Sequence, residues 1–568
     1  MERYMGAPVD IVTGDRGQRG NRILLESRKK VEPQVIKTSG RIYSIVGLSL
    51  SASHVIDAPE GLIVVDTGSG MNEGKGILEM IRTFSSRPVG AVIYTHSHYC
   101  GGTAALVESP GQVTVWAHHA LRANRANMIS SVAAGKWPRI AAQSGLILPK
   151  EGEDADSAGT EVARSGPDGY VPPDRIIDKD GMIIRILGVP FVFYTDYSFD
   201  TKDTLLMHLP EDDTVIHNHL SGNFPNLYSL GGGSYRDPLP WIEGLDKILT
   251  IGPTHLLGVH GLPVSGKEKI RELVEVNRDA LQFLYDQTVR AINLGLTAPE
   301  TAFFVRLPKE LQTHPYLQQT YGEVWHHVLS IYCGLMGWYD GDPVNLLPLH
   351  PEDESRLFIE AVGGVNRILG LAEQALKERK YSWAARLLRH ALRVSSDEDR
   401  PGAAKLLAAA LRGGAQVTTA WSTRNVCLTA ALELEGRGSR KILKTVPDRR
   451  ALSGLYASGL LRLLRFKLDP LRLPLGASQR LILRISGTDN VYALELRRGV
   501  LTMRSVGPDT GEEMNLPSDS GKAEINVETL VDILLGEKSF SDAAEEGGLR
   551  ISGDRDAVLR FFSAFELK

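Results

Sequence analysis

The sequence has few cysteines, no excess of positive charge and no long hydrophobic run. Cys100, Cys333 and Cys427 are scattered over 568 residues, and three such residues do not make a disulfide framework. The formal net charge of −4 gives no basic field that would attract nucleic acid. No run approaches the roughly 20 apolar residues of a membrane-spanning helix, and the N-terminus lacks the apolar core of a signal peptide. We therefore predict a cytoplasmic protein with no nucleic-acid partner and no integral membrane segment.

The length of the chain and its changes in pattern predict several domains. A polar arm rich in glycine and arginine covers residues 1–30. Short β-branched runs alternate with helical spacing over 31–266, which predicts an α/β layered domain. Apolar residues recur at helical spacing over 267–440, which predicts an all-helical domain. Over 450–568, alternating apolar and polar residues are followed by amphipathic helical patterns, which predicts a small α+β domain.

The clearest candidate site is the segment YTHSHYCGG, in which His96 and His98 follow an apolar run. Alternate residues of an extended segment project to the same side, so both imidazoles can face one point. Gly101 and Gly102 allow the backbone to turn tightly beside a ligand. Imidazole nitrogens bind zinc, iron and similar ions. The pair alone is a weak signal, because two histidines this close are often incidental.

Further polar residues at the ends of apolar runs strengthen this candidate. Asp66 ends the run GLIVVDTG. His217 and His219 end a second run in VIHNHLSGN, and His260 ends a third in LLGVHG. A catalytic metal needs about three protein ligands and one open position. Histidines that end several strands of one layer can converge at one edge of a sheet; the alternative is that each is a loop histidine with its own hydrogen-bond partners.

Several segments in this order match the pattern of a known family. They are VVDTG, THSH with the following Gly-Gly, NLYSLGG, KYSWAARLLRHAL, TAWSTRNVCLTAALEL and the C-terminal GVLTMRS, LLGEKSF and LRISGD. Together they resemble the alkylsulfatase-like branch of the metallo-β-lactamase superfamily, over nearly the full chain. The resemblance implies an α/β fold: a metallo-β-lactamase-like αββα sandwich, then an all-α dimerisation domain and a small α+β domain like a sterol carrier protein.

The chain departs from the family pattern at the metal ligands. The family motif HxHxDHxGG stands here as HSHYCGG, so Tyr99 and Cys100 are all that separates the histidine pair from the glycines. The bridging glutamate of the family falls on Asn218, and a further family glutamate falls on Phe199. Gly231 replaces the family arginine that helps to hold sulfate. These changes occur together, which predicts the loss of one of the two family metals.

We therefore predict one divalent metal ion, with zinc as the first candidate and iron or manganese as alternatives. The candidate ligands are imidazoles and one carboxylate: His96, His98, His217, His219, His260 and Asp200. Asp203 is an alternative to Asp200 as the oxygen donor, and Tyr99 or Cys100 as a further ligand stays open. A metal-adjacent thiol tends to deprotonate, whereas the alternative for Cys100 is a small buried packing residue.

The resemblance implies a metal-dependent hydrolase that acts on a small amphiphilic alkyl sulfate or a related ester or ether. His260, Tyr99 and Asp203 are the candidate catalytic residues, with His260 as acid or base. Asn226 and Tyr228, in the NLY segment, are the candidate substrate-binding residues. One alternative keeps the fold with iron-dependent redox or C–O-cleaving chemistry. Another is a non-catalytic protein that binds a lipid-like ligand.

The helical domain also bears on oligomeric state. KYSWAARLLRHALRV presents an apolar stripe of Trp383, Leu387, Leu388 and Leu392. Such a stripe packs either within its own domain or across a two-fold axis. The resemblance favours the second, and so predicts a homodimer. It also implies that the C-terminal domain recruits the apolar tail of the substrate.

Overall fold

A computed structural model of the chain describes residues 3–4, 7–27, 31–107, 111, 113–128, 132–156, 165–219, 222–438, 449, 452, 456–474, 476–506 and 521–565. The chain divides into two compact units. The first unit comprises residues 1–124 and 136–443, and the second comprises 125–135 and 444–568. None of the helices in the described part of the chain combines the length and the apolar character that a bilayer crossing requires.

The first unit contains a sheet of seven strands. In spatial order they are Arg175–Ile177, Thr114–His118, Val89–Ile93, Gly61–Val65, Ser53–Ala58, Ile42–Val46 and Gln34–Lys37. The first four of these run parallel to one another, and the other neighbours pair antiparallel. Gly61–Val65 is buried along its whole length, as expected for a strand covered on both faces.

A second sheet of six strands faces the first. In spatial order the strands are Met182–Ile186, Val189–Tyr194, Leu206–Leu209, Thr214–His217, His255–Gly258 and Val264–Ser265. Thr214–His217 and His255–Gly258 run parallel, so their carboxyl ends lie at the same edge. Ile63 and Val65 of the first sheet pack in one core with Phe191 and Met207 of the second.

Helices cover the outer face of each sheet. Met71–Arg82 packs on the first sheet, where Ile77 and Ile81 meet Val64. Pro238–Ile251 and Lys267–Asn293 pack on the second sheet in another core. Shorter helices of this part are Arg22–Ser27 and Thr103–Leu106, and the helices Leu121–Met128 and Ala133–Gln143 each have residues in both units. The layers therefore follow the order helix, sheet, sheet, helix, which confirms the predicted αββα sandwich.

The remainder of the first unit is helical, as predicted. Its helices after Lys267–Asn293 are Ala298–Phe304, Lys309–Gln312, Val324–Met336, Pro351–Val362, Val365–Lys377, Tyr381–Val394, Arg400–Val417 and Trp421–Leu434. Leu387 and Leu388 of the predicted apolar stripe are buried inside this region, with Leu392 packed against them. Trp383 is 49% exposed. Most of the stripe thus packs within its own domain.

The described part of the N-terminal arm is folded against the helical region. Ile11–Thr13 and Arg19–Asn21 form an antiparallel pair. The side chain of Asn21 donates a hydrogen bond to the carbonyl oxygen of Val417 at 2.9 Å. These contacts fix the arm to the end of a helix.

The second unit is a small α+β fold, as predicted. Its sheet has the spatial order Val500–Val506, Val491–Arg497, Ser478–Ile485, Gly521–Ile525 and Leu549–Ser552. Its helices are Ala457–Arg465, Val527–Leu534, Phe540–Glu545 and Arg555–Phe562. Apolar residues of the sheet and of the helices, among them Leu483, Leu530 and Phe561, form one core.

Candidate metal centre

The histidine segment leaves the first sheet at the end of Val89–Ile93 and runs against the neighbouring loop. A Cβ atom on Gly102 would overlap the carbonyl oxygen of Thr67, and one on Gly101 would overlap that of Ser69. The two glycines are therefore needed for close contact between two backbone segments, rather than for a tight turn beside a ligand. This contact holds the histidine segment against the loop that carries Asp66.

A chain of hydrogen bonds orients the ring of His96. The carboxylate of Asp66 accepts from the backbone N–H of Thr95 at 2.9 Å and from its hydroxyl at 2.6 Å. The same hydroxyl oxygen lies 2.9 Å from Nδ1 of His96. Because the hydroxyl donates a hydrogen bond to Asp66, its oxygen accepts a hydrogen bond from the N–H of Nδ1. The lone pair of His96 is then on Nε2.

Nε2 of His96 is a buried nitrogen without a hydrogen-bond partner among the described residues. Burial lowers the pKa of His96 well below its usual value, so the ring is neutral. A buried polar atom without a partner carries a desolvation cost, unless a ligand satisfies it. A neutral imidazole with its lone pair directed into the site, and its other nitrogen held by a hydrogen bond, is what a metal-binding histidine requires. Asp66 itself lies at φ +58°, a strained conformation typical of functional sites.

His98 and Asp200 complete a group of possible metal ligands with His96. Nδ1 of His98 lies 2.8 Å from Oδ2 of Asp200, and Nε2 of His96 lies 4.0 Å from the same oxygen. The three ligand atoms lie within 4.8 Å of one another. Within the described part of the chain, this is the one group of three or more side chains that could hold a metal ion. Two imidazoles and one carboxylate leave open coordination positions, as catalytic metal sites do. The residues present therefore fit a divalent metal ion.

The second carboxylate oxygen of Asp200 forms an ion pair with Arg236. Burial acts to raise the pKa of Asp200, but the charge of Arg236 and the hydrogen bond from His98 outweigh it and hold the pKa well below its usual value. Asp200 is therefore ionised. Arg236 also donates a hydrogen bond to the carbonyl oxygen of Asn226 at 2.8 Å.

Gly231 stands where the family pattern has an arginine, and Arg236 lies nearby in the sequence. A Cβ atom on Gly231 would lie 2.6 Å from Cγ1 of Ile140, so an arginine side chain at this position would require the structure to shift. The arginine that pairs with Asp200 stands five residues further along the same loop. Sequence reasoning missed Arg236, although a nearby arginine after a lost arginine was a usable signal.

His260 faces the histidine pair across the ring of Tyr99. Nδ1 of His260 lies 2.9 Å from the carbonyl oxygen of Leu50, so this nitrogen carries the proton. Nε2 lies 3.4 Å from the hydroxyl of Tyr99, whose ring centroid is 5.2 Å from that of His96. Burial raises the pKa of Tyr99 well above its usual value, so the phenol is neutral. Tyr99 and His260 thus adjoin the site, and His260 lies outside the three-residue ligand group.

His217 and His219 also lie outside this group. Nδ1 of His217 accepts a hydrogen bond from the backbone N–H of His219 at 3.0 Å. The ring of His219 packs on that of Phe199, and Gly244 leaves room for both rings. Both nitrogens of His219 are buried without a partner among the described residues. Asn218 lies between the two histidines, and its side-chain amide is likewise buried without a partner in the described structure.

The other predicted residues have well-defined contacts. Asp203 is buried and accepts hydrogen bonds from Asn124 at 2.8 Å and from Ser97 at 3.4 Å. The hydroxyl of Tyr228 lies 3.0 Å from Nδ1 of His326 and accepts from the backbone N–H of Glu323 at 3.1 Å. Tyr228 thus contacts the helical region.

Cys100 is fully buried in the core between the first sheet and its helix, and its Sγ lies 3.2 Å from the carbonyl oxygen of Ser97. Its surroundings are those of the small packing residue that was one of the two predicted alternatives.

Comparison with family models divides the chain into three matched segments. Residues 46–224 match the metallo-beta-lactamase superfamily. Residues 297–437 match the alkyl sulfatase dimerisation domain, and residues 465–567 match the alkyl sulfatase C-terminal domain. The three matches follow the order that the resemblance predicted.

Curated relatives and solved structures agree with these matches. The chain is 30% identical over 537 residues to a linear primary-alkylsulfatase of Pseudomonas sp., covering 90% of this chain and 98% of that protein. It is 26% identical to an (R)-specific secondary-alkylsulfatase of Pseudomonas sp., covering 93% of this chain and 80% of that protein. The structure of the stereoselective inverting sec-alkylsulfatase Pisa1 from Pseudomonas sp. aligns with a TM-score of 0.82 at 22% identity, covering 98% of this chain and 92% of that one. At this identity, the structural match shows that the two chains share a fold.

Proposed function

This chain belongs to the alkylsulfatase family of the metallo-β-lactamase superfamily, and on that premise we propose that it hydrolyses an alkyl sulfate at a single divalent metal ion. The observation that carries the proposal is the group formed by His96, His98 and Asp200, with Arg236 on the far oxygen of the carboxylate. It combines a set of metal ligands with a fixed positive charge. Neither iron-dependent redox chemistry nor a non-catalytic role has comparable support among the relatives.

The ligand group supports one ion, and zinc is the metal we propose. Two imidazoles and a carboxylate form a common zinc set, although the same donors also accept iron or manganese. The second-metal residues of the family are absent, since Tyr99 and Cys100 stand between the histidine pair and the glycines. A bound divalent ion would supply Lewis acidity toward an oxygen atom of the substrate or of water.

Arg236 is the residue we propose to bind the sulfate group. A guanidinium presents several N–H donors in a plane and pairs well with tetrahedral oxyanions. Arg236 is held by the carboxylate of Asp200 and by the carbonyl oxygen of Asn226, so its orientation is fixed before substrate arrives. In this proposal Asn226 binds substrate indirectly, by positioning Arg236.

His260 is the residue we propose to move a proton. The hydrogen bond from Nδ1 to Leu50 leaves the lone pair on Nε2, which faces Tyr99 and the histidine pair. Nε2 can accept a proton from the attacking water, and Tyr99 can donate a hydrogen bond to an oxygen beside it. Asp203 would act at a distance, by holding Ser97 of the histidine segment.

We also propose that the protein is a homodimer formed by its helical domain. The segment from 335 to 349 carries seven large apolar side chains that are more than 40% exposed: Leu335, Met336, Trp338, Val344, Leu346, Leu347 and Leu349. Exposed apolar surface of this extent usually marks an interface. Replacement of Trp338 and Leu347 by glutamate should yield monomers in sedimentation experiments, whereas Ile183→Glu, at an exposed position on the sandwich, should not.

We further propose a role for the C-terminal domain and a cellular compartment for the protein. A sterol-carrier-like role would have the second unit bind the apolar tail of the substrate, and its deletion would then weaken long-chain substrates more than short-chain ones. The small and odd number of cysteines, scattered over the sequence, supports a reducing compartment such as the cytoplasm.

Release of sulfate tests the proposed function directly. Purified protein loaded with zinc should release sulfate from decyl sulfate, measured by ion chromatography. Asp200→Asn should abolish the reaction, and Asp212→Asn, at a carboxylate of the same sandwich paired with Arg41, should leave it intact. Metal-loaded wild-type protein that releases no sulfate from alkyl sulfates of any chain length would refute the proposal.

A further inference from the structure

We infer that one end of the sheet in the second unit is a docking surface for a membrane that contains anionic phospholipids. This surface, called here the basic apolar end, comprises Arg462, Arg465, Phe466, Leu471, Arg498 and Val500. None of these residues belongs to the candidate metal centre. The inference therefore adds a binding activity to the proposed hydrolysis and does not depend on it.

Three large apolar side chains of the basic apolar end are exposed to solvent. Leu471 is 92% exposed, more than any other large apolar side chain in the described part of the chain, and Phe466 and Val500 are 55% and 51% exposed. Leu471 lies in a short turn, Phe466 directly follows the helix Ala457–Arg465, and Val500 begins an edge strand of the sheet. Apolar side chains that project from turns and element ends can enter the head-group layer of a bilayer.

The two turns of this surface lie against each other. The carboxylate of Asp469 accepts a hydrogen bond from the backbone N–H of Leu471 at 3.0 Å, which holds the first turn in shape. A Cβ atom on Gly499 would lie 3.1 Å from Cβ of Pro470, so the hairpin turn that contains Arg498 and Gly499 contacts the first turn. The exposed side chains of both turns are therefore at the same end of the sheet.

The helix Ala457–Arg465 adds two cations beside Phe466. The buried face of this helix includes Leu460, Leu461 and Leu464. Arg462 and Arg465 are three residues apart on the exposed side. Phe466 follows Arg462 by four residues, and side chains at this spacing are neighbours on the surface of a helix. An apolar ring thus stands next to positive charge.

The cations of this surface are not neutralised by neighbouring carboxylates. Arg462, Arg465 and Arg498 form no ion pair within the described part of the chain. Residues 456–506 contain nine Lys or Arg against three Asp or Glu, a net charge of +6 in a chain whose formal net charge is −4. Two of the three acids, Asp469 and Glu495, are themselves paired with other arginines. Such a local excess of positive charge attracts the anionic lipids of a membrane surface.

The combination of charge and shape favours a membrane over a protein as the occupant. A stable protein interface needs a broad, closely packed area with few charged residues at its centre. Here three projecting apolar side chains lie among three arginines without ion-pair partners. A head-group layer adapts to single projecting side chains and offers phosphate oxygens to each guanidinium.

Sedimentation with lipid vesicles tests the inference on the full-length protein. Vesicles that combine phosphatidylcholine with phosphatidylserine are compared with vesicles of phosphatidylcholine alone. Each basic residue near an anionic surface strengthens binding by about fivefold, so three unpaired arginines should give a preference of about 100-fold for the anionic vesicles. The preference should shrink at high salt, because salt screens the attraction between exposed charges.

Two double variants locate the electrostatic part of the surface. Arg462→Gln with Arg465→Gln removes two cations, and the affinity for anionic vesicles should fall by about 20-fold. The matched control is Arg550→Gln with Arg555→Gln. Both control residues are exposed, and Arg550 lies in the strand at the opposite edge of the same sheet. The control should bind the vesicles as wild type does.

A pair of single variants tests the apolar part. Leu471→Ser should lower the affinity for anionic vesicles by about tenfold, because insertion of one leucine contributes on that scale. Ile183→Ser, at a 74% exposed position of the sandwich, should not change it. Thermal unfolding of each variant shows whether it is folded.

Three results would overturn the inference. The first is wild-type protein that binds neither kind of vesicle or binds both equally well. The second is a loss of affinity in the Arg550 and Arg555 control equal to that in the Arg462 and Arg465 variant. The third is a change in the oligomeric state of the Arg462 and Arg465 variant with no change in vesicle binding, which would identify a contact between subunits instead.

Discussion

The chain contains two His-x-His segments at strand ends, one in each sheet, and their surroundings differ. His96 and His98 follow a strand of the first sheet and meet an ionised carboxylate, with one imidazole oriented by a hydroxyl and a second carboxylate. His217 and His219 end a strand of the second sheet and meet each other and an aromatic ring. The first pair thus stands beside an ionised carboxylate, whereas His219 of the second pair packs on the ring of Phe199.

The difference shows what a histidine pair needs before it can hold a metal. Neutral imidazoles alone leave the charge of a divalent ion uncompensated, and buried nitrogens without an acceptor have no fixed tautomer. Asp200 supplies the charge to the first pair, and Thr95 with Asp66 fixes the ring of His96. No carboxylate joins the second pair in a ligand group within the described residues.

The largest expected difference is in metal content. His96→Ala should abolish stoichiometric zinc binding and lower kcat by about a thousandfold, the scale of the charge stabilisation that a metal supplies. His219→Leu should retain the metal, as measured by elemental analysis after dialysis. Loss of zinc from His219→Leu would instead support the prediction, made from the sequence pattern, that His219 is a ligand.

Removal of the guanidinium of Arg236 should have the second-largest effect, in this case on kcat/KM. Arg236→Met leaves Asp200 without its partner and removes the proposed sulfate donor, so kcat/KM for decyl sulfate should fall by about 100-fold, mainly through KM. Arg236→Lys should recover part of this loss, since a lysine keeps the charge but not the planar fork. Arg185→Met, at an exposed arginine of the sandwich, is the matched control; an equal loss in both variants would contradict a specific role for Arg236.

The hydroxyl of Thr95 should have a smaller effect. Thr95→Val removes the link between Asp66 and Nδ1 of His96 while keeping the shape of the side chain, and zinc affinity should fall by about tenfold. Thr214→Val, at the start of the strand that leads to His217, is the corresponding change in the other sheet and should leave zinc affinity unchanged. Competition with a fluorescent chelator measures the zinc affinity of both variants. Equal affinities would exclude a role for the Thr95 hydroxyl in orienting His96.

The smallest effect should be a gain in stability at the second pair. Both nitrogens of His219 are buried without a partner in the described structure, so His219→Leu should raise the free energy of unfolding at pH 7 by about 1 kcal/mol. Burial lowers the pKa of His219 well below its usual value. Below about pH 6.5 the unfolded chain therefore takes up a proton that the folded chain does not, and wild type loses stability as the pH falls.

Denaturation in urea at pH 7 and at pH 5 measures this effect. The advantage of His219→Leu over wild type should grow by up to about 1.4 kcal/mol for each pH unit between pH 6.5 and pH 5. A pH-independent difference would show that the imidazole is accessible to protons in the folded state.

The layers of the sandwich could be predicted because each strand is encoded by the residues of its own segment. Strands such as Gly61–Val65 and Val89–Ile93 are β-branched runs that end at turns, and their residues alternate between the two cores. Asp200 as a partner of the histidine pair was also within reach, since the resemblance indicated a carboxylate near that position.

The rest of the site depends on contacts between distant segments. Arg236 pairs with Asp200, which lies on a separate segment of the chain, and no local sequence pattern encodes that contact. Tyr321 and Gln143 lie 178 residues apart and meet only in the folded chain. The surroundings of His219 are set by Phe199 and Gly244, which its own segment does not specify.

Anomalous diffraction from crystals of the zinc-loaded protein tests the central claim most directly. The account predicts one peak, bounded by Nε2 of His96, Nδ1 of His98 and a carboxylate oxygen of Asp200. Two peaks in the sandwich, or a single peak between the imidazoles of His217 and His219, would contradict it.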